Sequence, residues 1–149
     1  MKMRALTVEM ALQLASATLQ HARHLGLRPL AAAVLDAAGH PLAVLRDEQA
    51  SFLRPSIATG KAKGCLGLGF GGRELARRAQ AMPRFFDAIN SLTGGEVIPV
   101  AGGVLLRGAE GEVLGAIGVS GDTSEHDEQC ALLAIADSGL RGDTGDPQA

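Results

Sequence analysis

Tryptophan and tyrosine are absent from this 149-residue chain, and only four phenylalanines represent the aromatics. A surface that stacks the bases of single-stranded nucleic acid therefore has nothing to be built from. No charge of one sign dominates either: 14 basic and 16 acidic residues give a net charge of −2. Mixed along the chain, they leave no electrostatic footprint for nucleic acid or for an anionic membrane. Cysteine is nearly missing, since Cys65 and Cys130 sit in separate apolar runs without CxxC spacing or a neighbouring histidine pair. That excludes a zinc site or a dithiol redox motif and leaves two buried thiols. Long apolar runs are absent too. Met1-Lys-Met-Arg4 imitates the start of a signal peptide, but Glu9, Gln13 and Gln20 interrupt the apolar stretch after it, and its period is helical. A cytoplasmic protein without a targeting segment is expected.

Glycine is abundant, with 20 residues, and the most telling cluster lies in Gly111 to Glu128. Val113 to Val119 interleaves aliphatic residues with Gly115, Ala116 and Gly118, which suits a central strand closely approached by another backbone or a ligand. Thr123 or Ser124 then caps a helix whose first turn carries Glu125, Asp127 and Glu128, on the positive end of the dipole. Such a strand-glycine-helix corner, at Ser120, Gly121 and Asp122, aims backbone N–H groups where an anion can bind. The capping side chains can equally consume those donors. No Gly-Lys-Ser/Thr or GxGxxG spacing is present, so a nucleotide loop is not indicated.

In chain order, Thr7 caps a first helix to about Leu25. Val8, Ala11, Leu12, Ala15, Leu19 and Ala22 form the stripe expected to face the core. Met10, Leu14, Ala17, His21 and His24 make a soft apolar strip on the opposite side, fit to meet a subunit or a flat ligand. Pro29 to Leu35 and His40 to Arg46 read as a hairpin around Asp36-Ala-Ala-Gly39. Ser56 starts a helix through about Leu66, with small residues at Ala58, Gly60, Ala62 and Gly64 and with Lys61 projecting from it. A break is expected at Gly67 to Gly72. Helices at Arg73 to Ala81 and from Pro83 to Ser91 follow, then strands at Val97 to Val100, Gly103 to Arg107 and Val113 to Val119. The last helix, around Cys130 to Ala136, is apolar all round, which points to a second covering layer supplied by another copy. Residues 1–140 are read as one domain and 141–149 as a flexible polar tail. This order is not a strict βαβ alternation. It predicts an α+β domain on a five-stranded, mainly antiparallel sheet.

Ser56-Ile-Ala58 with Lys61-Ala62, Gly102-Gly103-Val104 with Leu106-Arg107, and Gly115 to Gly121 with Glu125-x-Asp-Glu128 resemble the GlcG/HbpS-like haem-binding family. That family is related to the C-terminal domain of PduO-type cobalamin adenosyltransferases, and the similarity runs from about Leu6 to Ala136. Leu105 stands where the family usually carries proline, and Lys63 where it carries an aromatic. The resemblance implies a profilin-like fold, homo-oligomers and a haem or tetrapyrrole ligand. It supplies no histidine, so the candidate axial ligands are His21 and His24, one turn apart on the strip of the first helix. Arg54, Lys61, Ser120, Gly121 and Asp122 are the candidate residues for a carboxylate or propionate. The leading reading is a haem-binding module. An isomerase or lyase acting on a carboxylated substrate, with Lys61 and the Gly121 corner holding the anion, is the alternative, and an oligomer without chemistry is the third.

Overall fold

The computed structural model describes residues 5–147, so Met1 to Arg4 and the last two residues of the expected tail lie outside the described residues. The elements in order are α1 (Val8–His24), β1 (Ala31–Asp36), β2 (Pro41–Arg46), α2 (Arg54–Leu68), α3 (Gly72–Ala81), α4 (Pro83–Thr93), β3 (Gly103–Arg107), β4 (Val113–Ser120), α5 (Ser124–Ala136) and β5 (Arg141–Asp143). The strands make one five-stranded sheet in the order β2-β1-β4-β3-β5, and every pairing is antiparallel. This is the α+β, profilin-like architecture expected.

Strand alternation sorts the core into two layers. Ala32, Val34, Val104, Leu106, Ile117 and Val119 point to one face and join Ala11, Leu14, Ala15, Cys130, Ala131 and Ile135 of α1 and α5. Leu35, Leu105 and Ala116 point to the other, against Ala62 and Cys65 of α2, as do Ala31 and Ala33 against Ala58. Beside Ala58 this second face is paved with the small residues Ala31, Ala33 and Gly118, and there α2 lies almost on the sheet. A Cβ on Gly118 of β4 would stand 1.9 Å from the Ala58 carbonyl oxygen and 2.9 Å from the Ala62 nitrogen. The close approach read from the glycines of β4 is thus made by the backbone of α2.

Local chemistry explains most boundaries. Thr7 Oγ1 accepts the Met10 N–H and Thr123 Oγ1 the His126 N–H, each at 3.2 Å, which caps α1 and α5 as expected. The hairpin tip before β4 turns at Gly111, with φ +83°. α2 begins two residues before Ser56, with Pro55 in its first turn, and its N-cap Leu53 makes no side-chain cap bond. Proline there sacrifices a donor that has no helical partner anyway. The helix ends in Gly69, in the left-handed region at φ +83°, inside the expected break.

Three expectations are corrected. Val97 to Val100 is not a strand: Pro99 lacks an N–H, and the segment instead crosses α2, where the Ile98 N–H donates to the Gly60 carbonyl at 3.1 Å. The fifth strand comes from the segment expected to be a flexible tail. β5 pairs Asp143, Gly142 and Arg141 with Leu105, Leu106 and Arg107, and the Arg107 guanidinium meets Asp143 at 2.9 Å. Composition alone hid this, because glycine and charge also suit a short edge strand held by ion pairs. The phase of α1 differs as well. Its buried residues are Ala11, Leu14, Ala15, Thr18 and Ala22, while Val8 and Leu12 are exposed. α5 packs on the Leu14 side and rotates the buried arc towards it. α5 itself is buried mainly through Asp127, Glu128, Cys130, Ala131, Ala134 and Ile135.

Gly118→Ala tests the layer spacing. Its methyl has no room against α2, so the variant is expected to lose about 3 kcal/mol or more of stability, read as a lower urea midpoint. A midpoint equal to that of the parent would contradict the packing described.

Candidate functional site

The strand-glycine-helix corner after β4 closes on itself. Asp127, in the first turn of α5, accepts the Asp122 N–H on Oδ1 at 2.9 Å and the Lys61 ammonium on Oδ2 at 3.2 Å. Lys61 Nζ also donates to the Val119 carbonyl at 2.8 Å. The pair is sealed inside the protein, with Lys61 3% and Asp127 1% exposed. Gly102, at φ +108°, covers it: a Cβ there would lie 2.7 Å from Nζ. Desolvation lowers the lysine pKa against the pull of Asp127, and desolvation raises that of Asp127 against the Asp122 N–H and Lys61. Lys61 thus points into the fold rather than projecting from α2, and its ammonium ties α2 to β4 and α5.

The remaining anion candidates share that fate. Ser120 is buried, and its Oγ accepts from Arg54 Nη1 at 3.1 Å. Gly121 packs against the chain before β1, where a Cβ would sit 2.4 Å from the Pro29 carbonyl. Asp122 Oδ2 accepts the Arg28 N–H at 2.9 Å, and its Oδ1 meets His126 Nδ1 at 2.7 Å. Its carboxyl is held down to about 2, first by the Arg28 N–H and then by His126. Arg54, Lys61, Ser120, Gly121 and Asp122 do come together in space, but as a structural knot whose donors and acceptors serve one another. Burial pushes the Cys65 thiol up to about 12 and the Cys130 thiol up to about 11, so both stay protonated, inert thiols.

The histidine strip lies on the opposite face of the sheet. A groove of about 460 Å³ runs between α1 and α5, lined by Met10, Leu14 and Ala17 on one wall and Ala134, Asp137 and Ser138 on the other. Sequence reasoning named the α1 wall. It missed the α5 wall, because nothing in the chain signals which helix pairs with α1. His21, one turn beyond Ala17, does not itself line the groove; its Nε2 lies 3.0 Å from Oδ2 of Asp137, which does. His24 is exposed near the end of α1, and His40 and His126 lie in other parts of the fold. No group of three or more potential metal-ligating residues is present among the described residues. None of their helices is long and apolar enough to cross a membrane.

Fold and groove together define an α+β sandwich with a ligand-sized, partly apolar cleft between its two outer helices. The chain belongs to the HbpS-like family, described as haem-degrading proteins, whose model matches residues 6–136. Among solved structures it is similar to PduOC in complex with haem, at 26% identity and TM-score 0.81, over 96% of this chain and all of that one. It is similar to HbpS at 28% identity and TM-score 0.77, over 92% of each chain. The Klebsiella pneumoniae protein ORFY is 27% identical at TM-score 0.78, over 91% of this chain and 94% of that one. No curated protein sequence matches.

The Lys61 to Asp127 bond yields a direct expectation. Lys61→Met leaves a buried carboxylate without its counter-charge and should cost about 3–5 kcal/mol. Asp127→Asn in the same background removes that charge while keeping an acceptor for the Asp122 N–H, and should recover part of the loss. Chemical denaturation of both variants reads this, and a Lys61→Met protein as stable as the parent would show that the pair carries no such weight.

Proposed function

We infer that this protein is a haem-binding module whose ligand lies in the groove between α1 and α5, with His21 as the candidate iron ligand. The observation that carries the reading is the juxtaposition of the apolar walls of Met10, Leu14, Ala17 and Ala134 with an imidazole, that of His21, hydrogen-bonded to Asp137 of the groove wall. A flat, largely apolar ring needs such walls, and ferric or ferrous iron accepts a neutral imidazole nitrogen. These residues fit the group in kind: aliphatic and thioether contacts for the ring, polar Gln13, Ser16, Gln20 and Ser138 at the rim for its propionates. Family membership and the likeness to PduOC in its haem complex support the same reading. Bound haem would supply a redox-active iron, and the chain's own part is to exclude water from the ring and to orient His21. His24 is the second candidate, placed at the exposed helix end.

The anion-binding enzyme has little left to act with, since the Lys61 ammonium is used inside the fold. Self-association belongs to the proposal, supported by Phe52 and Leu92, which leave large apolar side chains 84% and 81% exposed.

Haemin titrated into the purified protein is expected to give a saturable, sharpened Soret band. His21→Ala should shift or abolish that band while light scattering reports an unchanged assembly. Weak, non-saturating absorbance would overturn haem binding. A wild-type spectrum in both His21→Ala and His24→Ala would remove the two histidines from the site.

A further inference from the structure

Asp137 has a second relation to the groove: it lines the wall and also holds the imidazole that the proposed function requires. It follows the last residue of α5 and is 65% exposed on its side chain, whereas His21 is 27% exposed. The Nε2 to Oδ2 distance of 3.0 Å is a hydrogen bond. An ionised carboxylate only accepts, so the ring hydrogen must sit on Nε2. An imidazole nitrogen that carries hydrogen has no lone pair to give to a metal. Nε2 is also the ring nitrogen farther from Cβ, and so the one best able to approach a metal at the centre of a wide planar ring.

We propose that Asp137 is a latch on His21: in the groove without ligand it occupies Nε2, and iron can take that nitrogen only after the carboxylate lets go. The inference rests on the haem reading above. Opening needs no co-reactant. The Nε2 hydrogen passes to solvent, Nδ1 takes one up in its place, and the Asp137 carboxylate turns to water, which its exposure allows. The apparent affinity is then reduced by the fraction of molecules in which the latch is closed. Asp137 is a positioning residue and never touches the ring's iron. A carboxylate in the groove wall also repels propionates, so the test must separate the latch from plain charge.

Two measurements do so. Long-range ¹⁵N–¹H correlation spectra of the ligand-free protein should show His21 as the Nε2–H tautomer, and Asp137→Ala should redistribute it towards Nδ1–H. Haemin binding to Asp137→Ala should tighten several-fold, with the Soret position of the parent. The gain should vanish in the His21→Ala background and be absent for metal-free protoporphyrin IX, which has no iron to compete for the nitrogen. Binding by Asp137→Ala that is unchanged or weaker overturns the latch, and so does an equal gain for metal-free porphyrin or in His21→Ala, which marks charge repulsion instead. In those cases His21-dependent haem binding by the parent still stands. A parent protein that binds no haemin overturns the latch and the functional reading together.

Discussion

The spacing between α2 and the sheet is the constraint on which the rest depends. At Gly118 the helix backbone comes within a distance that no side chain could bridge, and that contact dictates the small residues on both partners. Ala31, Ala33 and Ala58 form the shallow middle of this layer. Packing so thin gains little from apolar area, at roughly 25 cal/mol per Å². A buried, hydrogen-bonded charge pair, Lys61 with Asp127, joins α2 to α5 from opposite faces through the end of β4. Replacing such a pair by apolar side chains is often no worse for stability. Its contribution here is positional: it fixes the corner that launches α5 and therefore the wall of the groove on the far side.

That geometry divides the molecule by task. The α2 face is closely packed, and its buried charge pair is hydrogen-bonded within the fold. The α1 and α5 face carries the larger buried cluster, and a cleft lined by Met10, Ala17 and Ala134 runs between its two helices. A ligand of some size has room on the second face and none within the knot at Lys61. Lys61, Gly102, Gly118 and Asp127, which lie in the motifs that carry the resemblance, thus build the scaffold, while the groove is lined by residues outside those motifs.

Much of the fold was legible because its signals are local. Thr7 and Thr123 announce helix starts, Gly69 and Gly111 lie where the chain must turn, and the interleaved glycines of β4 announce a close neighbour. The failures concern information that is not local. The buried arc of α1 depends on where α5 lies, so the 3.6-residue period alone ranked Leu12 above Leu14. β5 has only three residues, and its order comes from pairing with β3 and from Arg107; no propensity of Arg-Gly-Asp predicts it. Val97 to Val100 has strand composition, but Gly60 and Gly64 offer it a bed across α2, and Pro99 makes that the better arrangement. At the candidate site, Lys61 and Asp127 were each visible, one as a helix lysine and the other as a first-turn acid, though their burial was not. His21 was visible as a candidate, whereas its partner Asp137, 116 residues away, was not.

The central claim is the location of the ligand, and gallium(III) protoporphyrin IX, a diamagnetic counterpart of haem, tests it most directly. Amide chemical shifts followed during titration should move chiefly at Met10, Ala17, His21, Ala134 and Ser138, along both walls of the groove. Shifts concentrated instead at Ser56, Thr59, Lys63 and Glu96, which line a separate cavity of about 350 Å³ on the outer side of α2, would contradict the account.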